Sequence, residues 1–510
     1  FKFKYEVNFI MEKVGFGLAN WIVVILYLVG MLLVGAYFTK RSSKDTDAFF
    51  KAGGKIPAWA AGISIFATTL SSITFMSVPE RAFLSDWSYA IGSLVIIPII
   101  PILNHYYVPF FRKLKVTTAY EYLEARFSPL IRALSSLLFI IYHIGRVAVV
   151  TYLPVLAVAS VTDIDPLLVA ACVGIMCIIY TFLGGIEGVI WSDVIQAFVL
   201  IGGALLIIFI GVFSIDGGFA TVAHTAASNH KILSSADFKI NDLAAFVPLI
   251  FVGQFVNSLY QYTGSQDVVQ RYQTTKSLKD TIKSLWTTGF LGILTIPLFF
   301  GMGTILYTFY QNAASLPKDF NTSAIVPYFV ITQLPAGIAG FVIAGIFAAA
   351  QSTIASSLNS ISACFVTDFK QRFFNNKFKG MSDVTLARLV IIIAGVISTT
   401  ITVYFTMGNT SDTWNVFLTV SGLFGVPVAG LFALGIFTKR ANARGVLIGF
   451  ALSVLLAFYV DSLHISSLLV ATVSFTAAVI LGYLASLLFP GNNKDNQGLT
   501  IYTLKDKVKN

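Results

Sequence analysis

Charge is what this chain has least of. Only 11% of its 510 residues are Asp, Glu, Lys or Arg, about half the share carried by an average soluble domain. Long polar linkers are also missing, and mean hydropathy is +0.81. These absences exclude a soluble domain and leave an all-α, polytopic membrane protein read as one domain. The three cysteines, Cys172, Cys177 and Cys364, lie in apolar runs and are expected to be packing thiols. Five histidines, His105, His143, His224, His230 and His464, are too widely spaced for a metal centre. There is no H-E-x-x-H, G-x-S-x-G or G-x-x-x-x-G-K-[ST] motif, so an enzyme reading has nothing to carry it. The net charge of +10 does not signal nucleic acid, because the basic residues lie between apolar runs. No small-residue cleavage site follows the first apolar run, so no cleavable signal peptide is expected. Residues 1–10 precede Met11 and read as an added or exposed tail.

What is present is apolar length. Windows of about 20 residues give thirteen spans, near 19–39, 57–79, 88–111, 131–160, 165–183, 187–214, 243–265, 280–310, 325–369 (core from about 336), 384–407, 414–438, 443–461 and 466–489. A polar tail, expected to be mobile, follows from Gly491. Starting outside, the alternate connections hold 26 Lys and Arg inside, Arg126, Arg132 and Arg271 among them, and 7 outside. That split predicts an outside N-terminus and a cytoplasmic C-terminus.

The second span is interrupted. In AGISIFATTLSSITF, Ala61 to Phe75, five hydroxyls (Thr68, Thr69, Ser71, Ser72, Thr74) fall within seven positions. Hydroxyls and unwound backbone are tolerated in mid-membrane where they line a cavity, which is how secondary transporters build their sites. Helix-packing glue is the plainer alternative. Five spans later the seventh is interrupted in turn by Gly253, Gln254, Asn257, Ser258, Tyr260, Gln261 and Gly264. An odd spacing inverts the second half relative to the first, and paired broken spans in inverted halves point to a transporter site.

Arg146 stands at the middle of its span, about 22 Å of helix rise from either end. Too deep to snorkel, its planar fork suits a carboxylate, either a ligand's or a buried acid's from another helix. No acid lies at helical spacing within the same span. Asp193, also intramembrane, could be a cation ligand, a proton carrier, half of an ion pair or a helix-end acid. In AAAQSTIASSLNS, Ala349, Ser352, Thr353, Ser356, Ser357 and Ser360 share one helix face. Two successive hydroxyl pairs exceed what close packing needs and offer neutral oxygens for up to two Na⁺ ions.

ATTLSS, YTFLGGIEGVIWSDVIQAFVLIGG (180–203), the hydroxyl stripe 349–360 and FTKRANARGVLIGF (437–450) together resemble the sodium:solute symporter family. The likeness runs over nearly the whole chain, and within the family it is most like bacterial sialic-acid symporters. It implies the LeuT-type 5+5 inverted-repeat fold, with repeats near 57–214 and 243–438. One extra helix would precede them (19–39) and two would follow (443–461, 466–489). It implies Na⁺-coupled import of a carboxylated sugar by alternating access across a bacterial inner membrane, a single chain sufficing. One sodium site would use the carbonyls of Ala67, Leu70 and Ala349 and the hydroxyls of Ser352 and Thr353. A second would use Asp193, Ser356 and Ser357, with help from Thr353. Arg146 would hold the substrate carboxylate in a cavity lined by Thr69, Ser71, Ser72 and Thr74, with Phe255 and Asn257 from the seventh span. The same scaffold carrying proline, a neutral sugar or another organic acid is the nearest rival. A membrane solute sensor and a channel are more distant ones.

Overall fold

A computed structural model describes residues 16–503 except 115, 160–161, 163, 234–237, 239–242, 244–245, 319, 375–379, 409–412 and 491–496. The expectation for residues 1–10 and Met11 lies outside the described residues, as do two parts of the tail, 491–496 and 504–510. Secondary structure among the described residues is helical, apart from one isolated bridge between Ile56 and Thr275.

Ten described helices are long and apolar enough to cross a membrane, and a bent pair, Ala58–Thr69 and Ser72–Leu84, makes an eleventh candidate. Most fall where apolar length predicts them. The expected count of thirteen is not returned by length and composition, and two places account for the difference. The expected fifth and sixth spans form one helical run, Pro166–Phe213, of 48 residues. Straight, it would be about 72 Å long, more than twice a bilayer's hydrocarbon core. It turns at Gly185 (φ 55, ψ −167). A Cβ there would lie 2.8 Å from Ser42 Cβ and 3.2 Å from a Phe49 ring carbon, so both the positive φ and the close packing require glycine. Gly185→Ala is expected to cost about 1–3 kcal/mol. A lower unfolding temperature in detergent would show it; an unchanged one would mean that the kink relaxes freely.

The expected seventh span is the second place. Its helix, Val247–Thr263, is 17 residues long and is followed across Gly264 and Ser265 by a second helix, Gln266–Tyr272. The ninth span also needs correction. Residues 325–333 form a short helix of their own, and the span proper is Ile338–Cys364. That helix is the hub of the bundle. Every residue from Val342 to Cys364 is buried, and it packs against the Leu18–Ser42, Pro129–Ala159 and Pro166–Phe213 helices and both halves of the broken second span.

Three arginines counted as connecting-loop charges are buried: Arg126, Arg132 and Arg271. Arg126 donates to the carbonyls of Gly435 and Thr438, and Arg132 pairs with Asp368 and Glu124. The C-terminal segment is tied down in part. Tyr122 donates its hydroxyl to the Leu499 carbonyl, and the Ile501 amide donates to the Ile436 carbonyl.

Candidate functional site

The break in the second span comes where the hydroxyls crowd. Helix Ala58–Thr69 ends at Leu70 (φ −96, ψ 115), Ser71 is extended, and the next helix starts at Ser72 after a bend of 58°. Ser71 caps the new helix by accepting from the Ile73 amide at 3.2 Å. Ser and Thr compete with the backbone for its own hydrogen bonds, which is why they favour such ends. The seventh span breaks in the same way, with Ser265 extended (φ −91, ψ 115) between its two helices.

The hydroxyl ladder of Ile338–Cys364 lies against the first break. Ser352 Oγ donates to the Ala67 carbonyl at 3.0 Å and to the Ala349 carbonyl at 3.2 Å. Thr353 Oγ1 reaches the Thr68 carbonyl at 3.4 Å. It also reaches the Ala349 carbonyl at 3.5 Å, so four of the five residues expected at the first sodium site are joined by hydrogen bonds. The fifth, Leu70, lines the adjoining cavity. Two carbonyls and two hydroxyls with free lone pairs are a hard, neutral donor set, which fits Na⁺.

The four expected residues of the second site are distributed differently. Asp193 and Ser356 are bridged by the Arg271 guanidinium, whose Nη2 lies 2.9 Å from Asp193 Oδ2 and 2.6 Å from Ser356 Oγ. Ser64 joins the same group, donating to Asp193 Oδ2 at 2.5 Å and accepting from Arg271 Nε at 2.7 Å. Asp193 Oδ1 is buried with no hydrogen-bond partner, so one carboxylate oxygen stays available to a cation. Ser357 turns to His143 Nδ1 at 2.9 Å. Thr353 belongs with the first site.

Arg146 is buried, and its fork is in use: Nη1 lies 2.9 Å from Asp267 Oδ2 and Nη2 2.9 Å from the Thr68 carbonyl. An acid from another helix is therefore its partner here. Asp267 is held in turn by Ser265, which donates to Oδ1 at 2.5 Å. Thr68 links the two ion pairs, because its hydroxyl meets Ser356 Oγ at 3.0 Å while its carbonyl faces Arg146.

A cavity of about 220 Å³ opens beside the break, lined by Thr69, Ser71, Thr74 and Asn257 as expected. Ser72 and Phe255 are not among its lining residues. Ser72 donates instead to the Val150 carbonyl at 2.8 Å, and Phe255 packs against the hydrophobic core. Arg146 stands behind the cavity wall, its guanidinium 6.0 Å from the ring of Phe417, a lining residue. Gln254, Ser258 and Gln261 also line it. Gln261 Nε2 is buried there with no partner, a donor available to a ligand oxygen. The sequence reading placed these three in an interrupted span but gave them no role. In the sequence Asp267 carries no expected role, while Arg271 counts as a loop charge and His143 as an isolated histidine. The one signal for Asp267 and Arg271 was an acid and a base four residues apart just beyond the second break.

The sodium:solute symporter family model matches residues 49–452. A sodium/sialic acid symporter of Proteus mirabilis is 46% identical over 446 residues, 87% of this chain and 90% of the relative. One of Aliivibrio fischeri is 43% identical over 500 residues, 98% of each. The solved structure of a substrate-bound, outward-open Na⁺-coupled sialic acid symporter superposes with a TM-score of 0.87 at 43% identity, covering 93% of this chain and 98% of that one. Mhp1, a nucleobase-cation symporter, shares the fold alone, at 13% identity and a TM-score of 0.57. With two broken spans, a serine ladder against the first break and a family match over most of its length, the chain is a multi-pass membrane protein that belongs to the sodium:solute symporter family.

Proposed function

We propose that the protein is a Na⁺-coupled secondary symporter that imports a carboxylated sugar, N-acetylneuraminate, across a bacterial inner membrane. The observation that carries the reading is the set of neutral oxygens from Ala67, Ala349, Ser352 and Thr353 gathered where the broken span meets the ladder. A sodium ion held there ties the two elements together, and the substrate enters the cavity beside them. Arg146 takes the carboxylate in exchange for Asp267. Gln261, Asn257, Thr69, Ser71 and Thr74 offer donors and acceptors to the hydroxyls and amide of a sugar acid. The two breaks, alike in backbone geometry, support inverted repeats near 57–214 and 243–438 that rock about the site. The N-terminus lies outside and the C-terminus in the cytoplasm, since the positive-inside rule favours that arrangement even with Arg126, Arg132 and Arg271 removed from the loops.

A second sodium site at Asp193 would decide the energetics. Each tenfold sodium gradient supplies about 1.4 kcal/mol, and 100 mV adds about 2.3 kcal/mol per charge. One Na⁺ per monoanion moves no net charge, whereas two let voltage drive uptake.

The test is uptake and counterflow of labelled N-acetylneuraminate in proteoliposomes, in sodium and in choline. Accumulation in sodium alone is expected, competed by unlabelled N-acetylneuraminate but not by proline or a neutral hexose; competition by those two would sink the substrate assignment. Ser352→Ala removes a hydroxyl shared by two of the site's carbonyls. It is expected to raise half-saturating sodium about tenfold, with one lost ligand worth about 1–2 kcal/mol. An unchanged sodium curve would exclude Ser352 as a ligand.

A further inference from the structure

Two buried charges already occupy the partners that substrate and sodium would need, and both come from one turn of one short helix. Asp267 holds Arg146, and Arg271, four residues on, holds Asp193. Both pairs are fully buried or nearly so. A third contact ties them, since Arg271 Nη1 also donates to the Asp267 carbonyl. Asp267 is an internal carboxylate standing where a substrate carboxylate would bind. Arg271 is an internal cation standing against the oxygens that a sodium ion would bind. Building on the transport reading above, we propose that Asp267 and Arg271 are tethered competitors of substrate and sodium, and that the coupling of the two ligands lies in their joint displacement. Displacing one alone leaves a buried charge without its countercharge, which is strongly unfavourable. Displacing both frees an acid and a base at i and i+4 on the Gln266–Tyr272 helix, where they can pair with each other. The second displacement is therefore easier than the first, and by linkage each ligand tightens the other. Thr68, hydrogen-bonded to Ser356 by its hydroxyl and to Arg146 by its carbonyl, joins the two exchanges at the break. Sodium has one oxygen to approach before exchange begins, the unpartnered Oδ1 of Asp193.

The experiment uses purified full-length protein. Thermal unfolding against NaCl, with choline chloride balancing ionic strength, reads sodium binding. Calorimetry with N-acetylneuraminate at zero and saturating sodium reads the coupling factor. Arg271→Gln is expected to lower half-saturating sodium about tenfold and to make stability depend more steeply on sodium. Asp267→Asn is expected to tighten sodium-free substrate binding about tenfold and to bring the coupling factor close to one. A purely structural clamp would instead lower the unfolding temperature equally with and without sodium and leave both affinities and the coupling factor unchanged, and that result overturns the proposal. If Arg271→Gln does not fold, Ser64→Ala replaces it, since it loosens Arg271 and Asp193 without removing a charge; unchanged half-saturating sodium there is likewise contrary. If the unmodified protein binds sodium but not N-acetylneuraminate, the substrate reading fails, while the sodium arm still decides the exchange at Asp193.

Discussion

Arg146→Ala is expected to abolish uptake of N-acetylneuraminate and to destabilise the protein at the same time, and the two effects can be separated. A fork bonded to a ligand carboxylate in a dry site is worth about 3 kcal/mol or more, so binding should weaken at least about a hundredfold. The same substitution leaves Asp267 buried and without its guanidinium, at a cost of about 3–5 kcal/mol. The double variant Arg146→Gln with Asp267→Asn removes both charges, leaving neutral groups of similar shape. It should recover most of the unfolding temperature and none of the substrate affinity. Recovery of both would mean that Arg146 serves the fold by neutralising Asp267 and never touches substrate. Arg146→Lys keeps the charge without the planar fork, and should hold the fold better than it holds the acid.

The second large effect is expected at Asp193. Asp193→Asn keeps the shape and removes the charge. Uptake should lose any sigmoidal dependence on sodium and become insensitive to a potassium-valinomycin potential, because a single Na⁺ would then accompany a monoanion. Substrate binding should stay measurable, since Asp193 does not line the cavity. Arg271 would keep only neutral hydrogen-bond partners, Ser64, Ser356 and the Asp267 carbonyl, so unfolding should also come earlier, by about 3–5 kcal/mol of stability. Adding Arg271→Gln to that variant should restore the fold but not the voltage dependence. Persistent voltage-driven, sigmoidal uptake in Asp193→Asn would eliminate the second sodium site.

The two predictions share a cause that no single helix reveals. In one dimension Arg146 and Asp193 are lone charges in separate apolar runs, and their most economical partners are ligands. In three dimensions a short helix after the Ser265 break turns Asp267 and Arg271 inward to meet them. Arg271 was counted as a loop charge because its apolar window ends near 265. A seven-residue helix buried in the bundle is too short for such a window to detect. The turn at Gly185, by contrast, falls between the expected spans 165–183 and 187–214, where Gly184, Gly185 and Glu187 interrupt the apolar run.

The amino-acid sequence alone determined the membrane class, most of the spans, both breaks and the serine ladder. Those follow from local quantities: apolar length, helical periodicity and crowded hydroxyls each act within a few turns of chain. Ala67, Ala349, Ser352 and Thr353, proposed as sodium ligands, lie together because two elements of that kind bury their polar groups most cheaply against each other. Only the tertiary structure decided which charge faces which. An ion pair joins residues 78 or 121 positions apart, so its partners are chosen by packing and by the penalty for burying a charge alone, and neither is written at any one position.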